Sequence, residues 1–126
     1  MNVILYDNHP LILNALSDLF HQRKYDVIAA TTNADNFIFS TIFHQPDLIV
    51  IDPISLSHRH LEKLSLIQDL NSKLKTFIYA GNDSAFFILK SLHINSHAYM
   101  SKSCQVNNLQ TVLDLLENGD GIILRN

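Results

Sequence analysis

The sequence has one cysteine, Cys104, in 126 residues. That excludes an internal disulfide and suits a reducing compartment, so a cytoplasmic location is expected. A reactive thiol needs an activating environment, and a lone Cys104 reads as inert rather than redox-active. Glycine is nearly as scarce, confined to Gly81, Gly119 and Gly121. None falls in the first strand-to-helix turn, so a dinucleotide fingerprint or phosphate loop cannot be placed there. No G-x-S-x-G elbow offers a hydrolase nucleophile. Basic excess is missing as well: a net charge of −3 gives no support to nucleic-acid binding by this stretch. No apolar run approaches the roughly 20 residues of a membrane helix. The N-terminus enters a strand-like VILY without the basic region or cleavage site of a signal peptide.

What remains is a chain with 47% hydrophobic and 17% charged residues. It is expected to form a single soluble domain over residues 1–126, long enough for one good core. Short apolar runs alternate with helical periodicities. The strands are expected at Val3 to Tyr6, Val27 to Ala30, Leu48 to Ile51, Thr76 to Tyr79 and Ala98 to Met100. Helices are expected from Pro10 to Gln22, around Phe37, Ile38, Ile42 and Phe43, and on the stripe Leu61, Leu64, Ile67 and Leu70. Two more follow, one from Ala85 to about His93 and one on Leu109, Val112, Leu113 and Leu116. Pro53 to Arg59 reads as a loop. Asp83 or Ser84 is a candidate cap for the fourth helix, and Asn107 or Asn108 for the fifth, which should end at Gly119. Ile122 to Leu124 is apolar, but no sixth strand-helix unit follows it. Alternation of this kind predicts an α/β fold. Right-handed crossovers make it a doubly wound five-stranded parallel sheet, order 2-1-3-4-5, flavodoxin-like with three layers.

In that order the first and third strands are neighbours. Asp7 ends one, and Asp52 ends the other in the stretch PDLIVIDP, so two carboxylates share the C-terminal rim of the sheet. Like charges this close repel unless a cation lies between them. Mg²⁺ suits a site of one or two carboxylates, water and substrate phosphate. Lys102 ends the fifth strand on the same rim, where an ammonium can balance the acids or hold a phosphoryl oxygen. The plainer alternative is that Asp7 caps the following helix, Asp52 is a solvated loop acid and Lys102 a surface counter-charge.

Three stretches carry a family resemblance. VILYDNHPLILNAL, PDLIVID and HAYMSKS resemble, at family-like spacing and without a gap, the corresponding stretches of response-regulator receiver domains. The first is similar to the opening of receivers joined to a LuxR-type helix-turn-helix output. The resemblance implies that Asp52 accepts a phosphoryl group from a sensor histidine kinase and that Lys102 contacts it. It implies Mg²⁺ held by Asp7, Asn8, Asp52 and the backbone carbonyl of Ile54, with Tyr99 as the aromatic whose position reports activation. It further implies a homodimer that reaches DNA only through a domain expected beyond Asn126, no enzymatic turnover and no membrane contact.

The departures from the family pattern matter as much. Asn8 stands where a second acid is usual, so Mg²⁺ affinity should fall. Ala80 stands where a hydroxyl normally bonds the phosphoryl group and draws in the following loop. His60 takes the place of a loop glycine, and Asn95-Ser96 that of a Gly-Ala pair. This is the pattern of an atypical receiver, and the rival reading is a phosphorylation-independent dimerisation or protein-interaction module. His58 and His60 suggest a metal site only weakly, because transition-metal sites need three or four ligands. The fourth helix is apolar nearly all round, so Phe86 or Phe87 is a candidate contact residue, as is Leu115 on the fifth.

Overall fold

The computed structural model describes residues 1–104, 106–119 and 122–124, with the side chains at 85, 86, 106, 107 and 122–124 left aside. Strands β1 (Asn2–Tyr6), β2 (Asp26–Thr31), β3 (Leu48–Ile51), β4 (Lys75–Ala80), β5 (Ala98–Ser101) and β6 (Ile122–Leu124) alternate with helices α1 (Pro10–Gln22), α2 (Ala34–His44), α3 (His58–Leu70), α4 (Ser84–Ser91) and α5 (Val106–Glu117). The expected five-strand order 2-1-3-4-5 is present, and every strand pairing is parallel. The difference is at the edge. Ile122–Leu124 pairs with Ala98–Met100 and gives the order 2-1-3-4-5-6. No helical stretch follows Ile122–Leu124, so the strand-helix alternation that marks the other five strands does not mark this one.

Alternation along each strand sorts the core into two layers. Val3, Leu5, Val50, Phe77, Ala98 and Met100 face α1 and α5, packing on Leu16, Phe20, Val112 and Leu113. Ile4, Tyr6, Ile49, Ile51, Ile78, Ala80 and Tyr99 face the other side, against Phe37 and Ile38 of α2, Leu61 and Leu64 of α3 and Leu89 of α4. Each fully buried Phe or Leu adds roughly 1.5–3 kcal/mol to the fold. Arg23 at the end of α1 bonds Gln110, Asp114 and Glu117 of α5, partners 87 to 94 positions away in the chain. Tyr25 donates its hydroxyl to Glu117, and burial together with that bond raises its pKa.

Several expected boundaries move, each for a local reason. The segment expected as a loop from Pro53 to Arg59 holds a 3-10 turn at Pro53–Ser55, and α3 already begins at His58. Ser57 caps that helix in a reciprocal box. Its hydroxyl accepts from the His60 N–H, and the His60 ring accepts from the Ser57 N–H. Helix α4 ends at Ser91 because His93 turns left-handed, with φ 57°. Helix α5 begins at Val106, which places Asn107 and Asn108 inside it rather than before it. Gly119, at φ 88°, follows it as expected.

Candidate functional site

The site follows from strand register. Tyr6 of β1 lies opposite Ile51 of β3, so the next residues, Asp7 and Asp52, are side by side. The Asp52 N–H donates to the Tyr6 carbonyl, continuing the ladder one step past the strand. On β4 and β5, Ala80 lies opposite Ser101, and the Lys102 N–H donates to the Ala80 carbonyl at 2.8 Å. That step brings the lysine back over the acids. Its ammonium lies 2.6 Å from Oδ2 of Asp7 and 2.6 Å from Oδ2 of Asp52.

All three groups are withdrawn from water: Asp7 is 1% exposed and Asp52 4%, and the Lys102 side chain is 16% exposed. Asp52 is therefore not a solvated loop acid, nor is Lys102 a surface counter-charge. The other oxygen of each acid is also engaged. Asp7 Oδ1 accepts from the His9 N–H at 2.9 Å, and Asp52 Oδ1 from the Ile54 N–H at 3.2 Å. Burial by itself would lower the Lys102 pKa, but its bonds to Asp52 and Asp7 more than reverse that and hold it above the ordinary lysine value. Tyr79 adds its ring 5.9 Å from the ammonium, and burial raises the pKa of its phenol.

One cation reaches both acids at once, so the position between them is one a small hard ion can share. The donors are oxygens, as Mg²⁺ requires. A carboxylate has about four lone-pair sites, so the bonds present leave capacity on both acids. These residues fit the ion. Asn8 lies on the exposed turn after Asp7, and the Ile54 side chain is exposed while its N–H holds Asp52.

A receiver profile, described as the response regulator receiver domain, matches residues 3–114. The chain belongs to this family. The receiver is 20% identical over 119 residues to the DNA-binding transcriptional activator EvgA of Escherichia coli K12, covering 94% of this chain and 58% of that protein. It is 23% identical over 112 residues to BvgA of Bordetella pertussis, a putative positive transcription regulator of virulence factors, covering 89% and 52%. The chain thus spans little more than half the length of these relatives. In three dimensions it is similar to the isolated receiver domain of RcsB from Salmonella enterica serovar Typhimurium with beryllofluoride. The TM-score is 0.81 at 16% identity, with 98% of this chain and 92% of that one covered.

The receiver departs from the site's family pattern where β4 ends. Ala80 is fully buried and presents a methyl group. Tyr99 is fully buried as well, turned inward on the same face, and its hydroxyl donates to Asp83 in the β4–α4 turn. Asp83 precedes α4 without capping it through its side chain: its backbone is already helical, at φ −61° and ψ −23°, its carboxylate takes the Tyr99 hydroxyl, and Asn82 accepts from the Ser84 N–H. The opposite side of the rim has a comparable tie: Tyr6 and Ser55 share a hydroxyl–hydroxyl bond that fixes the turn after Asp52. Neither tyrosine bond is legible in the sequence, since each joins residues that only the fold brings together.

His58 and His60 each take a carboxylate partner of their own instead of sharing one site. His60 Nε2 pairs with Asp35 at 2.7 Å while its other ring nitrogen serves the cap, and His58 pairs with Glu62 one turn on. Among the described residues no group of three or more His, Cys, Asp or Glu is placed to hold a metal. Phe87 is half exposed on α4 and Leu115 half buried on α5, while the Phe86 side chain lies outside the described residues. Among the described residues no helix is long and apolar enough to cross a membrane.

Proposed function

We propose that this receiver accepts a phosphoryl group on Asp52 from a sensor histidine kinase and serves as the signal-receiving part of a transcription regulator. The observation that supports it most is the shared Lys102 ammonium, 2.6 Å from each of two buried carboxylates. Burying charges is costly, and a hydrophobic set of similar volume is often no less stable. An ionic triad at the rim of a parallel sheet is better accounted for by chemistry than by stability.

In the step, an Asp52 carboxylate oxygen attacks phosphorus, an acyl phosphate forms, and the bond from phosphorus to the donor breaks, its electrons leaving with the donor. Lys102 is already within reach of Asp52 and takes up the added negative charge on a phosphoryl oxygen. The Ile54 N–H holds the other carboxylate oxygen and so orients the nucleophile. Mg²⁺, which receivers generally bind at this site, would be held by Asp7, Asp52, the Ile54 carbonyl and Asn8, and would neutralise charge on the transferring group. Asn8 supplies an amide oxygen without charge, so the affinity is lower than an acid would give. Contact with DNA belongs to parts of such regulators outside the stretch matched here.

A second reading concerns switching and rests on the other end of β4. Ala80 cannot bond a phosphoryl oxygen, and Tyr99 is already held inward by Asp83. On this reading the receiver assembles with its partners whether or not Asp52 is phosphorylated.

Incubation with acetyl phosphate and Mg²⁺, followed by intact mass measurement, tests the proposal. One phosphoryl adduct per chain is expected, absent from Asp52→Asn. Absence of both an adduct and beryllofluoride binding in the unaltered chain would remove Asp52 as acceptor.

A further inference from the structure

The face formed by α2 and α3 carries a feature unrelated to the ionic rim. Phe39, Ile42 and Phe43 follow one another at i, i+3 and i+4 on the outer stripe of α2, and Leu66 and Leu70 stand one turn apart on α3. These five side chains are 55% to 80% exposed. The rings of Phe39 and Phe43 stack on each other, 5.9 Å between centroids and 12° from parallel. Beside them, between the two helices, runs a groove of about 230 Å³ lined by the apolar Ile42, Pro46, Ile67, Leu70 and Leu74. The polar Thr41, Gln45 and Asn71 complete its lining. An apolar cavity of roughly 150 Å³ already takes up benzene, so this groove has room for an aromatic ring.

We propose that this face is a homodimer interface, its occupant a second copy of the same chain. Three observations select that occupant. First, the face carries both halves of a fit: a projecting aromatic ledge and, next to it, a groove that takes a ring. A two-fold axis places the ledge of each copy in the groove of the other, as an isologous contact requires. Second, the area is sufficient. Five side chains this exposed present on the order of 600 Å² of apolar surface, at the upper limit of what monomers leave uncovered. Two such faces bury roughly 1,200 Å², where specific interfaces begin. Third, the stretch Asn36 to Pro46 contains no Asp, Glu, Lys or Arg. A copy docking there strands no charge of that stretch. The exposed charges that α3 brings beside Leu66 and Leu70, from Glu62, Lys63 and Asp69, are of both signs, so two copies can pair them where a partner charged with one sign cannot.

This interface lies across the sheet from α1 and α5, and it needs neither phosphate nor Mg²⁺. Its test therefore succeeds or fails separately from phosphorylation of Asp52. Sedimentation velocity over a concentration series, without Mg²⁺ or phosphodonor, should show a reversible dimer. Phe43→Glu and Leu70→Glu should each weaken it about tenfold or more, with circular dichroism retained and, at concentrations where the unaltered chain is itself monomeric, the melting midpoint retained too, because both positions are exposed. Leu11→Glu, on the exposed side of α1, should leave it unchanged. A monomer at every concentration would overturn the proposal and leave the face to a different protein. A dimer that survives both α2–α3 variants, or that Leu11→Glu breaks instead, would overturn it equally.

Discussion

The two edges of the sheet are built from different materials. At the C-terminal edge, two buried carboxylates converge on one ammonium, with a cation–ring contact beside it. At the N-terminal edge the bonds are mostly between neutral groups. Gln68 donates to the Thr76 hydroxyl and the Asn95 carbonyl and accepts from the Asn95 N–H, while His97 accepts from the Thr76 N–H through its ring. Both edges have backbone ends to satisfy, and neutral bonds do that without removing charge from water. Asp47 and Lys75 are ionised at the N-terminal edge, but each bonds a neutral backbone group there; buried charges that converge on one another are not a requirement of the fold, which is why the C-terminal edge is the place to look for chemistry.

The comparison breaks most visibly at Lys102. Lys102→Met leaves two carboxylates buried without a counter-charge, and the expected loss is about 3 kcal/mol, read from the urea midpoint at neutral pH. Added Mg²⁺ should recover part of that loss, because a cation between the acids does what the ammonium did. A loss below about 1 kcal/mol would mean that the acids reach water more freely than their burial implies.

At the other edge Gln68→Ala removes three neutral bonds, and about 1–2 kcal/mol is expected, unmoved by Mg²⁺. A loss as large as that of Lys102→Met would erase the distinction between the edges.

The smallest effect expected is one of pH. Burial, with a contribution from Lys75, holds the His97 pKa below its ordinary 6.5. The unfolded chain therefore takes up a proton on this group at higher pH than the folded one. Stability associated with His97 is full above about 6.5 and falls as pH drops toward the folded value. Urea midpoints between pH 7 and pH 5 should show this decline, and it should be shallower in His97→Gln. Identical slopes would exclude His97 as its source.

Much of this is legible in the sequence. Runs of three or four mostly apolar residues identify five strands, and strand order then places Asp7, Asp52 and Lys102 on one edge. Periodicity is a property of consecutive residues, so it reports elements well. It reports ends poorly, as α3 shows: a cap made by Ser57 and His60 lies outside any apolar stripe. The Tyr99–Asp83 and Tyr6–Ser55 bonds were out of reach for a related reason. Each depends on side chains from different elements that meet only after the sheet has formed. The pairing of Ile122–Leu124 with β5 depends likewise on an edge left open by the rest of the fold.

The backbone bond from Lys102 to the Ala80 carbonyl gives the rim a mechanical property. Ala80 has no hydroxyl with which to grip a phosphoryl group, yet its peptide is tethered to the residue that holds both acids. A pull on the ammonium is carried down the aliphatic stem to the Lys102 backbone and across that bond to the last peptide of β4. The charged end of the site and the root of the β4–α4 turn are therefore linked in series, so a load at one strains the other even without the side chain that would ordinarily connect them.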